Sequence, residues 1–227
     1  MFEIKDEAVA TQVDVQSQTE SGLCPSTHQE QDARELICAN PAFKRLQNSS
    51  SVLLLQGPLG PFFDRLARWL KANGTQVNRV ALHAGDLHDC KAIRPVTYKG
   101  PRDGWGEYVR QLIARHGVDC IVLFGQSRYY HVIAREVAAE SGIAVVVLEE
   151  GYFRPGFITM ELDGVNGYSR TLQRFRWDHA TSSEAGIQAD ITSRHFEKMA
   201  WHASQHYLAM HKHSAQLFQT WAGHYAA

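Results

Sequence analysis

The sequence predicts an α/β protein built on a doubly wound parallel sheet and followed by a C-terminal helix. Three observations carry that expectation. Apolar runs of strand length alternate with amphipathic stretches of helical period between residues 51 and 148. The connections between them are short and punctuated by glycine or proline. After Gly164-Val-Asn-Gly167 the strand pattern stops and a helical period takes over.

The elements follow in order. Residues 1–50 are polar, with Gln, Ser, Thr and Glu frequent from Thr11 to Glu30. They are expected to form a flexible leader with one short helix near Asp32–Leu46 and to be poorly ordered before Ser51. Val52–Gln56 reads as the first strand and Gly57-Pro-Leu-Gly-Pro61 as a sharp turn, with Pro61 suited to open a helix. In that helix Phe62, Leu66 and Leu70 recur at i, i+4, i+8, one apolar stripe, and Asn73-Gly74 stops it. Val77–His83 reads as a second strand, Gly104–His116 as a helix and Asp119–Phe124 as a third strand. Tyr129–Ser141 reads as a helix, and Ile143–Leu148, an unbroken apolar run, as a buried parallel strand. From about Arg194 to Trp221, apolar residues including Phe196, Met199, Ala203, Tyr207 and Met210 fall at helical spacing. No internal repeat is visible.

Composition narrows the function classes. The 227 residues are 44% hydrophobic and 21% charged, ordinary for a globular protein, with a formal net charge of -1. Nothing in that balance calls for nucleic acid. No apolar run reaches the ~18 residues of a membrane span. The N-terminus, Met-Phe-Glu-Ile-Lys-Asp-Glu, lacks the pattern of a secretory signal. Cys24, Cys38, Cys90 and Cys120 show no C-x-x-C spacing, so neither a zinc site nor a disulfide framework is expected, and the cytoplasm is the default location.

The candidate chemistry lies at strand ends. Leu148-Glu-Glu-Gly-Tyr-Phe-Arg-Pro-Gly156 places two acids, a tyrosine and an arginine after a parallel strand, the edge at which open α/β sheets bind ligands. Glu149 or Glu150 could act as nucleophile or base. Adjacent residues on extended chain point opposite ways, so at most one is expected to face a cleft. Tyr152 and Arg154 could clamp a sugar or a carboxylate. Gly125-Gln-Ser-Arg-Tyr-Tyr-His131 follows the third strand, where Arg128 and His131 suit an anion, against a plainer reading as a Ser127 helix cap. Gly57-Pro-Leu-Gly60 is neither a G-x-G-x-x-G fingerprint nor a Walker loop, and its prolines remove backbone donors. A tight turn or a loop touching a sugar-like substrate fits better. All three loops are expected to line one cleft. His202 and His206 at i, i+4, and the loose set His83, His88 and Asp89, lack a third ligand in view, so no metal and no cofactor is expected.

Together these motifs resemble the capsular polysaccharide synthesis/export family of the KpsS/LipB type. The matching pieces are Leu54-Leu-Gln-Gly-Pro-Leu-Gly-Pro-Phe-Phe63, Ala84-Gly-Asp86, Phe124-Gly-x-x-Arg128 with Tyr130-His131, Glu149-Glu-Gly-Tyr-Phe-Arg-Pro155, and Ile158-Thr-x-Glu161 to Gly164-Val-Asn-Gly167. The likeness covers about 115 residues, continues more weakly to Met210 and excludes the leader.

The resemblance implies a Rossmann-like domain, one half of a GT-B-like glycosyltransferase. It also implies retaining β-Kdo transfer from CMP-Kdo to a lipid-linked acceptor at the inner membrane, within a capsule assembly complex. The nucleophile would be Glu150, with Glu149 as its neighbour. The substrate contacts would be Gly57, Gly60, Arg128, His131, Tyr152, Arg154 and Asn166. The expected division is a leader at 1–50, a Rossmann-like domain at 51–170 and a helical segment at 171–227, with the second domain missing. The chain departs from the family in two ways. Gln126 stands where members carry an aspartate, and the His-Pro motif of the cytidine-binding half is absent. A truncated enzyme, inactive alone, is therefore expected. The rivals are a non-catalytic remnant or acceptor-binding module of the same fold, and a stand-alone nucleotide-binding protein.

Overall fold

The computed structural model describes residues 2–3, 39–151, 157–170, 173 and 193–212. In chain order the elements are β1 (Phe2–Glu3), α1 (Pro41–Gln47), β2 (Ser51–Leu54), α2 (Phe62–Ala72), β3 (Gln76–Ala81), α3 (Ala84–His88) and β4 (Val96–Thr97). They continue with α4 (Trp105–His116), β5 (Cys120–Phe124), α5 (Tyr129–Glu140), β6 (Ala144–Glu150), β7 (Phe157–Leu162) and α6 (Ser193–Lys212). The sheet runs β4-β3-β2-β5-β6-β7-β1. From β4 to β6 every pairing is parallel, while β7 and β1 are antiparallel.

The order explains where a ligand fits. From β2 the chain winds outward to β3 and β4, then returns to place β5 on the other side of β2. Helices above and below therefore diverge at the carboxyl ends of β2 and β5, the crevice in which doubly wound sheets bind ligands. The sheet is Rossmann-like, as the alternation of strand and helix patterns predicts.

Strand periodicity sorts the core into two layers. Val52, Leu54, Val122, Val146 and Leu148 pack with Ala42 and Leu46 of α1 and with Phe63, Leu66 and Leu70 of α2. Leu53, Ile121, Leu123, Val145 and Val147 pack with Trp105 and Val109 of α4 and with Tyr130 and Ala134 of α5. Each such buried aliphatic side chain contributes ~1.5–3 kcal/mol. The buried Trp105 donates its indole N–H to the Tyr130 carbonyl over 2.8 Å, so its one polar atom is satisfied.

Several features differ from expectation. Order does not begin at Ser51: α1, which overlaps the short helix expected near Asp32–Leu46, lies inside the expected leader with Ala42 and Leu46 buried. The Asn40 side chain accepts from the Ala42 and Phe43 N–H groups at 2.8 and 3.1 Å, and its amide donates to the Met160 carbonyl on β7. Asn40-Pro41 is an N-cap followed by proline at N1, and that pair was the available signal. β6 does not end at Leu148 but runs through Glu150, because β7 pairs with it and satisfies its backbone. Its antiparallel partner was not anticipated, since Phe157–Leu162 carries Thr and Glu at alternate positions. The short α3 and β4 were also missed.

Candidate functional site

At the crevice, Gln56 follows β2 and is 5% exposed. Arg128, at the N-terminus of α5, donates from Nη1 to Gln56 Oε1 over 2.7 Å. The Gln56 amide nitrogen lies 2.6 Å from His83 Nε2, beyond the end of β3. Two of the three expected loops thus meet at the switch point. Among the described residues no carboxylate lies at ion-pair distance from Arg128, so its charge is oriented by a neutral acceptor.

His83 is fixed by its surroundings. It caps α3, and the Asp86 carboxylate accepts from the Leu82 and His83 N–H groups. Burial holds the His83 imidazole below its ordinary range; the nearby Asp86 carboxylate opposes that effect without reversing it. At neutral pH the ring is therefore uncharged.

The third loop is described up to Gly151. Glu149 is half-buried and Glu150 exposed. Along β6, Glu149 continues the side that carries Val145 and Val147, the α4/α5 layer. A Cβ placed on Gly125 would lie 3.6 Å from Arg128 Nε and 3.7 Å from Glu149 Oε2. Gly125, at φ 75°, has the left-handed backbone that favours glycine, and its lack of a side chain lets both groups approach the chain there. Geometry therefore brings Glu149, rather than Glu150, beside the crevice arginine. The Glu149 carboxylate also accepts from the Glu150 N–H at 3.1 Å.

The other expected contacts divide. Gly57 is half-buried and Gly60 buried in the turn after β2. His131, expected beside a ligand, is fully buried, and its Nδ1 is hydrogen-bonded to the Gly125 carbonyl. The turn of α5 directs it inward, so it supports the loop rather than facing the crevice. Asn166 is exposed on a 3₁₀ turn, Asn166–Tyr168. Tyr152 and Arg154 lie outside the described residues.

Two arrangements escaped sequence reasoning. Gln126, noted only as unable to act as an acid, is buried and uses both ends of its amide. It donates to the Val165 carbonyl and accepts from the Val165 N–H, each at 2.9 Å. That ties the Gly164–Gly167 loop to the β5 loop, and an aspartate could make only one of the two bonds. Secondly, α6 docks on the crevice edge. His206 Nδ1 lies 2.8 Å from Asp89 Oδ2, its ring meets His83 edge-on at 5.2 Å, and it packs where Gly85 has no side chain. His202 sits over Gly60, whose N–H also donates to Asp89 at 3.3 Å. The two histidine sets seen separately in the sequence are thus brought together. Among the described residues no group of three or more His, Cys, Asp or Glu could hold a metal ion. Burial pushes the Cys90 and Cys120 thiols up to about 12 and about 11, so neither offers a thiolate at neutral pH. No described helix is long and apolar enough to cross a membrane.

The sheet order, with an arginine and a carboxylate beside its switch point, defines the class of the fold: an α/β protein with a Rossmann-like sheet. Comparison with known proteins shows what the chain is similar to. Residues 119–219 match the family model described as capsule polysaccharide biosynthesis protein. Over 143 residues the chain is 39% identical to the capsule polysaccharide modification protein LipB of Neisseria meningitidis, in serogroup A and serogroup B strains alike. That match covers 62% of this chain and 34% of the relative. Over 124 residues it is 38% identical to the capsule polysaccharide export protein KpsS of Escherichia coli, covering 55% of this chain and 32% of the relative. The capsule polysaccharide family is thus supported by motifs, family model and curated relatives together. The matched region spans about a third of the length of those relatives.

Proposed function

We propose that this chain provides the sugar-acid-binding, Rossmann-like half of a retaining β-Kdo transferase of capsule assembly. One observation carries the proposal: Arg128 Nε and Glu149 Oε2 converge on Gly125, 3.6 and 3.7 Å from where its Cβ would stand, beside the topological switch point. An arginine with no carboxylate at ion-pair distance among the described residues suits the carboxylate of a sugar acid. A carboxylate beside it suits attack on the anomeric carbon. In such a transfer the carboxylate oxygen bonds to the anomeric carbon as the bond to the cytidylate phosphate breaks. The acceptor hydroxyl then displaces the carboxylate, and two inversions retain configuration. Glu149 is the better placed nucleophile on geometry, and Glu150 on the motif. CMP-Kdo, a lipid-linked acceptor and an inner-membrane capsule assembly complex are the corresponding partners.

The second reading is an acceptor-binding module without catalysis. It is favoured by Gln126, whose amide is engaged at both ends with Val165 and can serve as neither acid nor base. A radiolabelled transfer assay with CMP-Kdo and a lipid-linked acceptor separates the two. We expect no transfer by the 227-residue chain alone. Transfer is expected when a fragment covering the remainder of a relative is added, and is lost in Glu149→Gln or Glu150→Gln. Binding of acceptor without transfer in either mixture would establish the module instead.

A further inference from the structure

We propose that Gln56 is a positioning residue: its amide carbonyl aims the Arg128 guanidinium into the crevice without placing a second negative charge, besides that of Glu149, on it. This role rests on the sugar-acid crevice proposed above.

A half-buried arginine such as Arg128 is often held by a carboxylate, which orients it but also offsets its charge. Here the acceptor on Nη1 is a neutral amide oxygen at 2.7 Å. A neutral acceptor fixes direction and leaves the electrostatic attraction for a ligand. The amide itself is locked. Its nitrogen is 2.6 Å from His83 Nε2, and turning it over would set its NH₂ donors against the guanidinium donors. His83 cannot rotate freely, because Asp86 engages it in the capping box and the His206 ring abuts it edge-on. Residues from the ends of β2 and β3 and the start of α5 therefore form one chain, and its far end touches α6. Gln56 was not among the residues that the sequence motifs singled out for chemistry.

The test uses the full chain, with free Kdo as probe and its methyl ester as the charge-neutral control, read by titration calorimetry alongside thermal unfolding. The wild type should prefer Kdo to the ester, and Arg128→Met should remove that preference. Gln56→Glu sets a carboxylate against the guanidinium. Kdo affinity should then fall by about tenfold or more, with ester affinity and the unfolding midpoint retained, the signature of a cancelled charge rather than a distorted site. Gln56→Leu keeps the charge but loses the aim, so Kdo affinity should fall by roughly three- to tenfold with the preference over the ester kept. Wild-type Kdo affinity in a folded Gln56→Glu chain, with binding lost in Arg128→Met, overturns the positioning role and leaves the crevice standing. Unchanged affinity in Arg128→Met, or no preference for Kdo in the wild type, overturns the crevice and the positioning role with it.

Discussion

The centre of the sheet and its β6–β7 margin handle polar groups in opposite ways. At the centre, Gln56, His83, Asp86 and Gln126 are buried, and each is held by named partners. Beside them Asp64 is 2% exposed and accepts from the Lys91 and Ala92 N–H groups and from Arg68, with the buried Arg79 at 3.8 Å. At the margin Glu149 is half-buried and Glu150 exposed, on a strand whose last pairings are with Thr159 and Ile158. Polar groups at the centre are therefore preorganised inside the fold, while the two glutamates proposed as nucleophiles stand nearer solvent. Buried polar groups are costly to disturb and exposed ones are not, so substitution should separate the two regions cleanly.

The largest effect is expected at Asp64. Asp64→Ala strips the acceptor from the 89–92 loop and leaves the Arg79 charge buried, which should cost about 3–5 kcal/mol in urea unfolding. A loss below 1 kcal/mol would break the contrast at its strongest point. Gln126→Asp comes next. It loses one of two bonds to Val165 and leaves a buried polar group unsatisfied, for a cost of about 1–3 kcal/mol.

Acid should affect the centre in two stages. Burial depresses His83 below its ordinary 6.5, so its contribution to stability is complete above that value and is lost as pH falls from there to the folded-state value. For Asp64, burial alone would raise the pKa, but hydrogen bonds from Ala92, Arg68 and Lys91 outweigh it and hold the carboxyl below its ordinary 3.8. That contribution persists above 3.8 and disappears only as pH falls through the lower folded value. Unfolding free energy followed against pH should show both stages, and His83→Gln should remove the first. The smallest effect belongs to the margin: Glu150→Gln should leave the unfolding midpoint within ~2 °C of wild type. A larger shift would mean that Glu150 supports the fold rather than standing ready for chemistry.

Local pattern determined much of this protein. The apolar runs at Val52, Ile121 and Val145 and the stripe of Phe62, Leu66 and Leu70 specify strands and a helix, because burying one periodic face is possible in only one kind of element. Those patterns also put the Gly57, Gly125 and Glu149 loops at strand ends. Pairing partners were beyond local pattern. β7 extends β6 through both glutamates, and no residue between Glu149 and Glu161 announces that register. Nor does sequence spacing show that Gln56 bridges Arg128 and His83, that Gln126 grips Val165, or that His206 fills the gap over Gly85. Each joins residues 27 to 121 positions apart, through contacts that exist only once the sheet order is set. The sequence by itself determined the central strands and helices and the sheet edge at which the proposed site lies. Tertiary structure decided which side chains meet there, because hydrogen bonds between distant residues depend on topology and not on local periodicity.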